Sequence, residues 1–360
     1  MSKLIAYVFK LGGYQMRNKK ILSVVVSILL LFSLIIPSYA SEIKAGDTVL
    51  LGGIPFGVKF YSGNMTVSGF SEVDGEGGDS SPAYEAGLRE NDVIIKINGN
   101  EVKSAEEVTR AVENSQGKTI SFICKRNDKD ITLNVTPIKS RSAGTYKIGI
   151  WIKDSTAGIG TITYVDPNTG EFGGLGHGIY KSETGELLKI RRGIINDVKI
   201  SGVVKGEVGA PGELKGFFSS GKNGIVNKNT DCGVFGVLTK FKESKYLRQE
   251  IEIASRDKVK NGKASVFCTL SDNTLKEYTI EINCDKCENS KCFNITVTDP
   301  ALLAETGGIV QGMSGSPIVQ EGKLIGAVTH VLVNDPTKGY GIFIENMLNA
   351  AKEERQQKAA

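Results

Sequence analysis

Gly312-Met313-Ser314-Gly315-Ser316-Pro317 sets a small hydroxyl residue between two glycines just ahead of an apolar run. Glycine permits the positive φ values and close backbone approach with which a tight turn can present a serine beside its own N–H groups. That is the arrangement an acyl-transfer nucleophile needs, because the same N–H groups can hold the oxyanion. Such a hydroxyl is a poor nucleophile until a neighbouring base takes its proton. The chain has two histidines only. His177 lies in Gly173-Gly174-Leu175-Gly176-His177-Gly178, an open, flexible backbone suited to a functional loop. His330 lies on a predicted strand, Leu324 to Val333, where period-two alternation groups it with Leu324, Gly326 and Val328. Acids available to orient a base between His177 and Ser314 are Asp197, Asp231, Asp257, Asp272, Asp285 and Asp299.

These residues must be positioned by strands. Ile318-Val319 reads as a strand, Gln320 to Lys323 as a turn, and Leu324 to Val333 as its return. Upstream, Tyr146–Ile152, Thr161–Val165, Val198–Val204, Gly233–Thr239, Ala264–Leu270, Tyr278–Ile282 and Phe293–Val297 are short β-rich runs parted by Gly, Asn and Asp. With 43 glycines and few aromatics, the chain is predicted to be mainly β, its second half a barrel or sandwich. Asp299 closes the Phe293–Val297 strand before Pro300, which cannot continue a ladder. It stands at a strand mouth, and it equally suits a cap for the Ala301–Ala304 turn.

The Ser314 hexapeptide and the hairpin behind it resemble the nucleophile turn of chymotrypsin-like serine peptidases. The resemblance implies a double β-barrel with the base on the first barrel and the serine on the second. His177 fits that order, leaving His330 and Val328 as cleft walls. By the same analogy the N–H groups of Gly312 and Ser314 form the oxyanion hole.

Residues 50–138 read as a separate unit. Asn91–Gly99 is a strand closed by an Asn-Gly turn, and Ser104-Ala105-Glu106-Glu107 opens a helix with a capping-box pattern. The stretch SPAYEAGLRENDVIIKINGNEV resembles the most recognisable part of PDZ domains. Phe56-Gly57-Val58 is similar to their carboxylate-binding loop, which implies a peptide ligand added as a strand along Val58–Tyr61.

Residues 1–40 carry five of the 44 basic residues and none of the 40 acidic ones, leaving 39 basic against 40 acidic residues downstream. A near-neutral body gives no ground for a nucleic-acid partner. The basic start precedes an apolar run, Ile21–Ile36, and then Pro37-Ser38-Tyr39-Ala40, the pattern of an export signal or a retained membrane anchor. Translation from Met16 would keep that pattern. Six cysteines include the cluster Cys284, Cys287 and Cys292, whose spacing favours a local disulfide or free thiols over metal ligation. No Gly-rich phosphate loop opens a helix after a strand, and no metal or organic cofactor is expected.

Together the export segment, one PDZ-like unit, GGLGHGIY and TDPALLAETGGIVQGMSGSPIVQEGKLIGAVTHVLVNDPTKGYGIFIE resemble the SpoIVB peptidases of spore-forming bacteria. The resemblance implies a serine endopeptidase secreted from the forespore into the space between the two membranes. There it would process itself and cleave a membrane-tethered regulator that signals to the late mother-cell sigma factor. It also places nucleophile, base and acid on Ser314, His177 and Asp299. The expected organisation is an export signal or anchor (1–40), a linker (41–49), a PDZ-like domain (50–138), a chymotrypsin-like peptidase domain (139–350) and a tail (351–360). The rival reading is a non-catalytic PDZ adaptor at the membrane.

Overall fold

The computed structural model describes residues 43–357 apart from 182–184, 191, 245–246, 248 and 286–291. The predicted export segment lies outside the described residues, among which no helix is long and apolar enough to cross a membrane. The chain is mainly β, as predicted.

Strands β1 (Thr48–Leu51) and β2 (Pro55–Phe70) come first. They are followed by β3 (Val93–Ile97), helix α1 (Ala105–Asn114), β4 (Ile120–Arg126) and β5 (Lys129–Val135). A run of β6 (Ile150–Val165), β7 (Glu171–Gly174), β8 (Arg192–Val204), β9 (Glu213–Thr230) and β10 (Gly233–Leu238) comes next. Six of these strands close on themselves in the order β2-β6-β7-β10-β9-β8 and back to β2, every pair antiparallel. Phe56, Val58, Phe172, Leu175, Ile195 and Val234 fill this first barrel, with Phe56 and Phe172 meeting edge to face at 5.8 Å. Full closure removes the exposed sheet edges that invite aggregation.

A connecting strand, β11 (Glu250–Ile253), leads to β12 (Gly262–Thr269), β13 (Leu275–Asn283) and β14 (Cys292–Val297). Helix α2 (Pro300–Thr306), strands β15 (Pro317–Gln320), β16 (Lys323–Leu332) and β17 (Asp335–Phe343), and helix α3 (Ile344–Gln357) complete the chain. Here too six strands close a ring, β12-β13-β14-β17-β16-β15 and back to β12. Period two decides what faces inward: Tyr278, Ile280 and Ile282 of β13 and Phe293, Ile295 and Val297 of β14 are buried, with polar residues between them. A third cluster, from Val49 and Leu51 through Tyr164 and Ile251 to Met347 and Leu348 of α3, seals the two barrels together.

The PDZ-like unit is not a domain preceding the barrels, as its sequence position suggested, but an insertion into the first one. Strands β2 and β6 are 16 residues each. Their barrel halves pair Pro55–Tyr61 with Ser155–Thr161, and their far halves pair Thr66–Phe70 with Ile150–Lys153. A register shift between Lys153 and Ser155 bends the ribbon where it passes from one core to the other. At the far end β3, β4, β5 and α1 assemble around Met65, Val67, Ile94, Val108, Phe122 and Val135. The predicted helix start holds: Ser104 Oγ accepts the N–H of Glu107, whose carboxylate accepts the N–H of Lys103. So does the Asn-Gly turn, with both Asn98 and Gly99 at positive φ.

Candidate active site

Between Val310 and Pro317 the chain turns tightly, with Gly312 at φ +98° and Gly315 at φ +95°. Any side chain at Gly315 would drive its Cβ to 2.0 Å from the Thr161 carbonyl oxygen. The turn is bound from both barrels. Within its own barrel Met313 N–H donates to Val310 O, Gly315 N–H to Val328 O and Ser316 N–H to Met313 O. From the first barrel Thr161 N–H donates to Ser314 O at 2.9 Å, Thr161 Oγ1 to Gly312 O at 2.8 Å and Thr163 Oγ1 to Gly315 O at 2.7 Å. With these bonds made, the N–H groups of Gly312 and Ser314 donate to no protein acceptor among the described residues. Two fixed, unpaired donors flanking a serine are what a developing oxyanion requires.

The two serines of the turn differ. Ser316 is fully buried, and its Oγ has no hydrogen-bond partner. Ser314 is half-buried and lines a cavity of about 440 Å³, its Oγ resting 2.7 Å from the carbonyl oxygen of Thr329.

His177 reaches the same cavity from the loop after β7. Leu175 (φ 64°) and Gly176 (φ 70°) swing the chain toward β16, where a side chain on Gly176 would press against Val328 O and Thr329. The imidazole Nδ1 stands 2.8 Å from Gly178 O. A carbonyl can only accept, so Nδ1 carries the proton and Nε2 keeps the lone pair a general base needs. Burial holds the ring below the ordinary imidazole pKa of 6.5; the Gly178 carbonyl works against this, and His330 lowers it further. The imidazole is therefore neutral at pH 7. His330, the other histidine, packs against it with ring centroids 4.6 Å apart and the planes tilted by 37°. Both rings also border a second, larger cavity of about 1,040 Å³ whose acids are Asp231 and Glu281. Asp231 accepts the Tyr180 hydroxyl at 2.8 Å.

On the inserted unit a groove of about 700 Å³ runs between α1 and the segment Tyr146–Ile152. Ile150–Lys153 pairs with β2 on one side only; its other edge pairs with no strand among the described residues. Gly149 has φ +72°, and the N–H groups of Ile148 and Gly149 donate to no protein acceptor among those residues. Val108 and Val112 of α1 form the opposite wall.

Against known proteins, residues 144–348 match the SpoIVB peptidase S55 family and residues 75–126 match the PDZ domain. The chain belongs to the SpoIVB peptidase family. It also carries a PDZ domain. A probable protease eep of Enterococcus faecalis is 36% identical over 96 residues, covering 26% of this chain and 22% of that one. Serine protease HTRA1 of Xenopus tropicalis is 42% identical over 57 residues, 16% of this chain and 12% of that one. The chain thus spans less than a quarter of these relatives. Among solved structures, a thermostable serine protease AL20 from an extremophilic microorganism is 11% identical, covering 55% of this chain and 91% of that one with a TM-score of 0.34. The PDZ domain of an SdrC-like protein from Listeria monocytogenes is 26% identical and covers 26% of this chain and 90% of that one, with a TM-score of 0.21.

In this SpoIVB-family peptidase, Ser314, His177, Gly312 and His330 line one cavity. Three sequence expectations need correction. Asp299 does not touch His177. Its Oδ1 accepts the N–H groups of Ala301 and Leu302, and its Oδ2 accepts the N–H and hydroxyl of Thr279, which makes it the N-cap of α2. Burial alone would raise its pKa, but the N–H groups of Leu302, Thr279 and Ala301 outweigh it and hold the carboxyl below its usual range. Val328 is not a cleft wall but a core residue, 1% exposed. The ladder with β17 shifts register between Val328 and Val331, so simple alternation fails and Thr329, His330 and Val331 line the cavity instead. Phe56, Gly57 and Val58 are not the PDZ loop either. They pair with β6 and β8, with Phe56 and Val58 in the first barrel's core. The groove's loop is Tyr146–Ile150, whose Lys147-Ile148-Gly149-Ile150 pattern, ahead of a strand and facing α1, was the available signal.

Cys124 and Cys268 are buried free thiols, Cys232 is buried as well, and burial pushes the Cys124 thiol up to about 12. Cys284 is a half-buried free thiol, whereas Cys292 is disulfide-bonded.

Proposed function

We propose that Ser314 is the nucleophile and His177 the general base of this peptidase, with the N–H groups of Gly312 and Ser314 as the oxyanion hole. One observation carries the assignment: an accessible serine hydroxyl, two unpaired backbone donors and a neutral, Nδ1-anchored imidazole border a single cavity. In the reaction Ser314 Oγ leaves Thr329 O, gives its proton to His177 Nε2 and bonds to the peptide carbonyl carbon. His177 returns the proton to the amine as the C–N bond breaks, and a water molecule then hydrolyses the ester by the same route. The Gly178 carbonyl fills the orienting place expected of a carboxylate.

The groove of the PDZ domain takes an extended peptide as an added strand along Ile150–Ile152, its end held by the N–H groups of Ile148 and Gly149. The basic and apolar start of the chain and the family membership support the wider reading. The protein is exported into the space between forespore and mother-cell membranes. It trims itself and cleaves a membrane-anchored regulator in the late sigma-factor checkpoint. Sequencing the N-terminus of the secreted protein, wild type against Ser314→Ala, tests this reading. Self-trimming and cleavage of the regulator should both vanish in the variant, and their persistence would remove Ser314 from the chemistry.

A further inference from the structure

Resting on that assignment of Ser314, we infer that the enzyme cuts after an uncharged apolar residue, whose side chain enters the smaller cavity. The placement follows from the reaction's own geometry. Once Ser314 Oγ is bonded to the acyl carbon and its oxygen sits on the Gly312 and Ser314 N–H groups, the side chain on the adjacent α-carbon falls beside the turn. The space beside the turn is the 440 Å³ cavity, walled by the residues just before Ser314 and by the edge Thr329–Val331. The leaving amine must lie where His177 can return a proton to it. His177 borders both cavities and Ser314 only the smaller, so the departing segment passes toward the larger one.

The two cavities differ in chemistry. Val58, Ile159, Ile179, Pro211, Val331 and Val333 wall the smaller one, and among the described residues no Asp, Glu, Lys or Arg lines it. A Lys or Asp side chain placed there would lose its hydration and find no counter-ion. The larger cavity carries Asp231, Glu281 and Lys338 with Asn283 and Asn294, so it tolerates polar residues after the cut.

Val331 is half-buried at the cavity wall, and a Cβ added at exposed Gly158, which also lines it, meets nothing within 4 Å. The test is digestion of a synthetic peptide mixture by the full chain, with cut sites read by mass spectrometry, for wild type, Val331→Asp and Gly158→Asp. For wild type, cuts after Leu, Val or Met should exceed cuts after Lys or Asp by roughly tenfold or more in rate. In a folded aspartate variant the ratio of Lys to Leu before the cut should rise by a similar factor. Wild-type indifference, a wild-type preference for a charged residue, or an unchanged ratio in both folded variants would overturn the inference. Absence of any cut by the wild type would bring down the Ser314 assignment as well.

Discussion

The Ser314 cavity and the PDZ groove are built to the same backbone plan. Each sets a positive-φ glycine, Gly312 or Gly149, beside two N–H groups with no protein acceptor among the described residues and next to a strand edge. A peptide backbone can be held at either. The difference lies in the side chains: the cavity adds the Ser314 hydroxyl and the His177 imidazole, whereas the groove adds Val108, Val112 and Ile150. Binding an extended peptide thus needs only ordered N–H groups and an apolar wall. Cleaving it needs a nucleophile and a neutral base in the same enclosure. The cavity also draws on both barrels, since Thr161 and Thr163 of the first hold the carbonyls of the second barrel's turn.

The largest effect that separates the two sites is Ser314→Ala, expected to cut turnover by roughly 10⁴- to 10⁶-fold while peptide affinity at the groove stays unchanged in calorimetry. His177→Ala should fall in the same range, and the double variant no lower than either single one, because the two act as a unit. Gly149→Ala works the other way. Its Cβ would lie 2.2 Å from Ser71 O, so the cradle must distort. Peptide affinity should drop by about tenfold or more, with cleavage of short peptides retained. Equal loss of both activities would merge the two sites into one.

Smaller effects sharpen the catalytic side. The rate should rise with pH as His177 loses its proton, with an inflection below 6.5, since burial and His330 lower its pKa. His330→Ala removes that neighbour and should move the inflection upward while changing KM more than kcat; an unmoved inflection would mean the stacked pair is not coupled. The smallest change belongs to Asp299→Asn. Asn keeps the cap acceptor but sets an NH2 where Oδ2 accepts from Thr279, so stability should fall by about 1–3 kcal/mol while turnover stays within tenfold. A folded, inactive Asn variant with an altered pH profile would return the carboxylate to the catalytic machinery.

Much of this was legible in the sequence because it depends on local rules. Ser314 between glycines, the Ser104 cap, the Asn98-Gly99 turn and the alternating β13 and β14 need only φ preferences and period two. What failed depends on pairing. Strand β9 is not among the predicted strands, since its Gly-, Ser- and Asn-rich middle is an exposed ribbon with Phe217 at 72% exposure and leaves no buried stripe to detect. Val328 was misplaced by a register shift set by the neighbouring strand.

The sequence by itself determined the residue types for acyl transfer, the mainly β character and the presence of a PDZ-like segment, because each is carried by a short contiguous pattern. Only the tertiary structure decided that Phe56–Val58 belong to a barrel, that the PDZ unit is threaded through β2 and β6, and that Asp299 spends both oxygens as a cap. Those are long-range matters: the partner of a backbone edge or a carboxylate is chosen by which strands close the barrels, and residues more than a hundred positions apart, such as Thr161 and Gly312, settle it.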